Sequence, residues 1–366
     1  RKDKRTLLIA ESDRKGAEDG DLVRAIPKPG KPNGPAFGVV TDVLGRIDDP
    51  RAASLLAIHA HDIPVEFPKD VLNEAKSIKP LDSPREDLTG LDLITIDPAD
   101  ARDHDDAVYA EKLDDGWKVI VAIADVAAYV RPGTALDREA QKRGNSTYFP
   151  DRVVPMLPFE LSADACSLVE NEDRPCMAVE MIFDQSGTKR SHRFIRGTMR
   201  SKAKLAYEEA QAAIDGKTGG PGEKRLEPVL KPLWGAFEAL GKARAKRGPL
   251  ELDMPEKRVE IGEDGKVTGI TEKERFDAHR LIEEFMIQAN VAAAETLEKL
   301  GAPLLYRVHD QPTDAKIAAL ADFLQTLDIN WSLGERPQTI PKPCPKSSCA
   351  HRPRRYTIRT MSAISA

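Results

Sequence analysis

The chain has 366 residues, 40% of them hydrophobic and 31% charged, with a formal net charge of −5. That is enough for two or three domains with a sizeable core, and no run reaches the ~18 apolar residues of a membrane-crossing helix, so no membrane partner is expected. Four irregularly spaced cysteines exclude a disulfide scaffold and point to a reducing cytoplasm. The acidic total does not advertise nucleic acid, yet binding requires only a local positive channel.

Residues 1–62 read as short strands at 5–10, 21–26, 36–44 and 54–60, separated by Pro/Gly-rich connectors. Short strands at this spacing predict a small β-barrel or sandwich. Lys2, Lys4, Arg5, Lys28 and Lys31 are either a basic face or simply solvated lysines. A polar connector over 63–87 includes a short helix at 68–77. A larger unit then opens with an apolar strand at 91–96, an acidic loop, and strands at 107–112 and 118–126. Leu230, Leu233, Trp234, Phe237 and Leu240 share one helical face and read as core. Glu263-Asp-Gly265 is a turn between strands at 257–261 and 266–270. From Asp277, read as an N-cap, the stripe Ile282, Phe285, Met286, Ala289 and Ala293 predicts a long helix ended by Gly301.

The chemical signal is Asp97-Pro-Ala-Asp-Ala-Arg-Asp103-His-Asp105-Asp106, five carboxylates in ten residues after an apolar strand. Like charges this close raise one another's pKa values. They persist by splaying into water or by holding a cation. Carboxylate oxygens suit magnesium, which keeps waters and takes a few carboxylates plus substrate phosphate. Paired ions of this kind hydrolyse phosphodiesters. A calcium EF-hand fails, because Arg102 stands where the turn glycine belongs and Val108 where the closing glutamate belongs. Zinc is disfavoured with His104 as the lone soft ligand. A solvated acidic turn and a metal site both remain open on spacing alone. Cys166 and Cys176 read as buried thiols, and His279 and His309 as bases without a visible partner.

Thr95-Ile-Asp97 with Asp103-His-Asp105-Asp106-Ala107 resembles the signature of the ribonuclease II/R family. The resemblance continues through Val121-Ala-Ile-Ala-Asp125, Arg143-Gly-Asn-Ser-Thr-Tyr148-Phe-Pro, Val154-Pro-Met-Leu-Pro158, Cys166-Ser-Leu168, His279-Arg-Leu-Ile-Glu-Glu-Phe-Met286 and Tyr306-Arg-Val-His-Asp-Gln-Pro312. It implies an α+β fold: a mixed α/β catalytic domain over 88–342, preceded by part of a cold-shock-type β-barrel (OB fold) over 1–62. It implies a magnesium site at Asp97, Asp103, Asp105 and Asp106, with Asp100 outside the pattern. Tyr148 matches an aromatic that stacks on a base near the RNA 3′ end. Glu283 or Glu284 lies on the helix that lines the RNA channel in the family. The implied reaction is processive 3′–5′ hydrolysis of single-stranded RNA to nucleoside 5′-monophosphates by a cytoplasmic protein, a monomer by preference.

The pattern holds through Gly334-Glu-Arg-Pro-Gln-Thr-Ile-Pro341. The last 24 residues, 343–366, then contain no Asp or Glu but five Lys/Arg, three prolines, four serines and two cysteines. They are expected to be an aberrant tail, as a reading-frame shift near Lys342 would produce. Arg354-Arg355-Tyr356 resembles a late family motif by coincidence, and Cys344, Cys349 and His351 are not expected to bind zinc. The chain begins with Arg1 and reads as a fragment. An alternative function follows: a catalytically impaired RNA-binding fragment lacking the end of the catalytic domain.

Overall fold

The computed structural model describes residues 6–29, 34–249, 255–306, 308 and 312–329. Lys2, Lys4, Arg5, Lys31, His309, the 343–366 stretch and the motifs within it lie outside the described residues. In chain order the strands are β1 Leu8–Ile9, β2 Asp21–Pro27, β3 Phe37–Arg46, β4 Glu86–Asp87, β5 Thr95–Asp97, β6 Asp106–Leu113 and β7 Gly116–Ala124. They continue as β8 Thr147–Tyr148, β9 Val153–Val154, β10 Asp173–Asp184, β11 Lys189–Arg200, β12 Lys204–Ala206, β13 Lys257–Ile261 and β14 Val267–Glu272. The helices are α1 Ala52–Ala60, α2 Lys69–Ser77, α3 Ala135–Arg143, α4 Tyr207–Ile214, α5 Lys231–Arg247, α6 Asp277–Lys299 and α7 Asp314–Gln325.

The N-terminal unit is a three-stranded sheet, β1-β3-β2, with β2 antiparallel to β3. The strand expected at 54–60 is instead helix α1. Its residues explain the correction. Ala52, Ala53, Ala57 and Ala60 favour helix, and the buried pair Ser54 and Ile58 is spaced four apart, on one helical face.

The main body is a five-stranded sheet in the order β4-β11-β10-β7-β6, antiparallel except for β4 at the edge. Both faces are covered, so β7 reads as a continuous apolar run rather than an alternation. Val119 and Val121, with Val108, Ala110, Val179, Met181 and Phe183, face Leu233, Leu240, Leu281 and Phe285 of α5 and α6. Ile120 and Ala122, with Ala107, Cys176 and Ala178, face the opposite way, against Leu88, Leu93 and Leu168. This is the two-residue period of a strand with a core on each side. A third cluster joins α2 to α3 through Val71, Ala75, Leu136 and Ala140, with Leu157, Leu161 and the buried Cys166. Burial pushes the thiols of Cys166 and Cys176 up to about 12, so both are inert apolar groups at neutral pH.

Three other expectations change. The strand foreseen at 91–96 is regular only at Thr95–Asp97, with Ile94 bridging to Val108. The β10–β11 hairpin was not foreseen. Helix α6 is capped at Phe276 and buries Ala278, Leu281, Ile282, Glu284, Phe285, Gln288 and Ala292, while Met286, Ala289 and Ala293 are only half-buried. Its inner face is therefore turned toward Glu284, which Arg244 of α5 neutralises.

The turn between β10 and β11 presses on α5. Gly187 has φ 78°, and a Cβ there would stand 2.0 Å from the Ala239 carbonyl oxygen. Gly241, also on α5, faces open space. Gly187→Ala should therefore cost about 2 kcal/mol or more, whereas Gly241→Ala should stabilise by ~0.5–1 kcal/mol. Urea-unfolding midpoints measured beside the parent chain check both signs.

Candidate active site

The acidic loop runs from the end of β5 to the start of β6. Two strand pairings set its ends: β5 lies parallel to β12, with Asp97 opposite Ala206, and β6 lies antiparallel to β7, with Asp106 opposite Ile123. Between them the loop is stitched to the 166–168 segment. The His104 backbone N–H donates to Ser167 Oγ at 3.0 Å, and Leu168 N–H donates to the His104 carbonyl at 2.8 Å. The buried His104 ring places Nδ1 2.8 Å from Asp97 Oδ2. The Cys166-Ser-Leu168 motif is thus a support for the loop.

Asp106 Oδ2 is shut from solvent with no hydrogen-bond partner. Desolvation, then the charges of Asp97 and Asp105, push its carboxyl up to about 7. Asp105 is more open but is also raised, by desolvation and by Asp103 and Asp97. Asp103 lies at the rim, where Tyr148 Oη donates to its Oδ2 at 3.5 Å. The Tyr148 ring is 62% exposed. The four aspartates and Tyr148 therefore form one constellation. Asp100 stands apart, exposed, 3.9 Å from Arg258 of β13.

Glu283 and Glu284 separate. Glu284 is 1% exposed, accepting from Arg244 at 2.9 Å and from Gln288 at 2.8 Å. It is a buried, neutralised strut of α6 and not a surface contact. Glu283 is open enough to pair with both Arg275 and Arg244. Trp234 is core, as expected.

Two residues join the site that sequence reasoning did not assign to it. Tyr207, at the first turn of α4, follows the β12 residue opposite Asp97, and burial with the charges of Asp106 and Asp97 raises its phenol. His279 stacks on Tyr207 with ring centres 3.9 Å apart and accepts from the Phe276 N–H through Nδ1. Burial, then Lys273, holds its imidazole below the usual histidine range, so it is neutral at pH 7. In the sequence His279 stands out only as a base without a visible partner and as the opening of a family motif, and Tyr207 carries no signal beyond an aromatic at the start of a helix.

The donor set is all carboxylate oxygen, and one oxygen is buried without a partner. Both features fit a hard divalent cation. Among the described residues no three His, Cys, Asp or Glu side chains are already gathered tightly enough to hold an ion alone. Magnesium does not demand such a cage, since it keeps several waters and takes one or two carboxylates plus phosphate oxygens.

Comparison with known proteins agrees with this architecture. The RNB domain model matches residues 85–363, running beyond Lys342, and a cold shock domain model matches residues 1–68. The chain belongs to the RNB-domain family. It is 39% identical over 363 residues to ribonuclease R of Vibrio cholerae, covering 97% of this chain and 44% of that one. The structure resembles Mycoplasma genitalium RNase R in complex with ribose methylated single-stranded RNA, at TM-score 0.85 and 27% identity over 92% of this chain and 54% of that one. The fold is shared more distantly with yeast Ssd1, a pseudonuclease, at TM-score 0.64 and 19% identity, over 86% of this chain and 40% of that one. The chain spans less than half the length of the first curated relatives it matches. No helix among the described residues is long and apolar enough to cross a membrane.

The Asp106 carboxyl gives a signed prediction. Its folded pKa, about 7, lies above the unfolded value, so the native state holds the extra proton between roughly pH 4 and 7. Stability from this group falls as pH rises through that window, and the full cost is present above pH 7. Without divalent metal, Asp106→Asn should raise Tm by ~3–6 °C at pH 8, with little gain at pH 4.5. Thermal unfolding in EDTA at the two pH values checks it.

Proposed function

We propose that this chain is the catalytic part of a processive 3′–5′ exoribonuclease that hydrolyses single-stranded RNA to nucleoside 5′-monophosphates with magnesium. The observation that carries the reading is the buried, unpartnered Asp106 Oδ2 beside Asp97 and Asp105, with the exposed Tyr148 ring at the rim through Asp103. The family membership and the relatives named ribonuclease R support it. Residues 1–62 form the cold-shock-type RNA-binding unit, 63–87 the linker and 88–342 the catalytic unit of a cytoplasmic, monomeric protein.

Asp97, Asp103, Asp105 and Asp106 would hold the metal. Bound there, magnesium supplies positive charge at the scissile phosphate and lowers the pKa of the attacking water. The chain's own residues do the rest. Asp106, whose Oδ2 is buried without a partner, would be the carboxylate a cation relieves most. His104 holds Asp97 Oδ2, so Asp97 presents its other oxygen. Tyr148 stacks on a terminal base, which any base permits because each has a π face. Stacking rather than edge reading makes the enzyme indifferent to sequence.

RNA binding without cleavage is the second reading. The two separate in one assay. Uniformly labelled single-stranded RNA should release nucleoside 5′-monophosphates only with magnesium, and Asp106→Asn should lower the rate by roughly 10³-fold or more while RNA affinity stays within about threefold. RNA that is bound but uncut by the parent chain would establish the second reading.

A further inference from the structure

Tyr148 sits on β8, which pairs with β9 through only two residue pairs, Thr147 with Val154 and Tyr148 with Val153. A ribbon this short does not hold its own shape in water. Tyr148 is also largely exposed, and its hydroxyl meets Asp103 only at 3.5 Å. Something else must fix it beside Asp103.

Two braces do so. At the base, Arg143 has a side chain only 2% exposed and spreads its donors over three segments. Nε donates to Glu139 Oε1 of α3 at 2.9 Å, Nη1 to the Pro155 carbonyl just after β9 at 3.1 Å, and Nη2 to the Glu66 carbonyl at 2.7 Å. Its guanidinium also lies 3.6 Å from the Phe67 ring centre. At the tip, Asp151 Oδ2 accepts from Ser54 Oγ of α1 and from Arg152 Nε, both at 2.8 Å. Ser54 belongs to the N-terminal unit, and Glu66 and Phe67 to the connector that follows it.

We propose that Arg143 is a positioning residue for Tyr148, and that with the Ser54–Asp151 hydrogen bond it braces the β8–β9 ribbon against the N-terminal unit. This rests on the reading of Tyr148 as the base-stacking residue. The planar guanidinium is required, since one ammonium cannot reach three acceptors and cover a ring together. Ser54 supplies the lighter of the two braces.

The test uses RNA carrying 2-aminopurine at its 3′ end, bound in EDTA so that nothing is cut. Stacking quenches its fluorescence. Tyr148→Ala should abolish the extra quenching in the parent chain; if it does not, the stacking reading falls and the proposal with it. Given that loss, Arg143→Lys should weaken quenching and raise KM about tenfold, with kcat changed less, and Ser54→Ala about threefold. In a Tyr148→Ala background neither should add a further loss, because both act through the ring. A variant of either residue with parental Tm and parental quenching would overturn its brace while leaving the stacking reading intact. Should Arg143→Lys fail to fold, Ser54→Ala and Asp151→Asn decide: both parental overturns the brace, and both impaired only when Tyr148 is present supports it.

Discussion

The arrangement depends on keeping carboxylates together that repel one another. Asp97 and Asp106 stand at the ends of two strands, each committed by backbone pairing to a neighbour, β12 for one and β7 for the other. The Ile94–Val108 bridge ties the two strands to each other beside these ends, so they cannot drift apart without breaking backbone hydrogen bonds. His104 takes up one Asp97 oxygen, and Ser167 and Leu168 fix the intervening loop. What remains unrelieved is the buried Asp106 oxygen. In water it would be solvated, and here it is left for a cation or a proton.

This explains why the sheet is covered on both faces. A strand end holds a side chain to a small tolerance only if the strand itself is immobile. β6 and β7 are central to two hydrophobic clusters, one under α5 and α6 and one under Leu88, Leu93 and Leu168. The buried Arg85–Asp125 pair at 2.8 Å secures the end of β7 beside the site. Breaking it from one side would leave an uncompensated charge in the interior.

Elements whose partners are close in sequence were legible. The helix at 68–77, the apolar β7 and the α5 face each declare themselves by their own periodicity. The acidic cluster did too, because all its members fall within ten consecutive residues. Segment 54–60 misled because a short apolar run does not distinguish helix from strand. β10 and β11 stayed hidden because Arg193 and Glu180 interrupt their apolar pattern, and these charges are answered across strands, Arg193 pairing with both Glu180 and Glu86. The inner face of α6 depends on Arg244, forty residues before Glu284. Tyr207 reaches the site only because β12 pairs with β5, a contact between segments more than a hundred residues apart. Tyr148 carried no local signal at all, and the family resemblance alone singled it out.

The openness of the carboxylate set has a consequence for how the proposed reaction is controlled. If the side chains formed a closed cage, a cation would bind equally with or without RNA. Among the described residues they do not, so phosphate oxygens of a seated strand would complete the coordination. Metal affinity and RNA affinity are then linked, each raising the other by the same factor. The rim tyrosine adds a condition of position. On that reading, a strand whose terminal base lay on Tyr148 would present its phosphate to the carboxylates next to Asp103, and a strand that had not reached the ring would not. Cation capture and arrival of the 3′ end would then favour each other, and cleavage would be confined to the terminus without any reading of sequence.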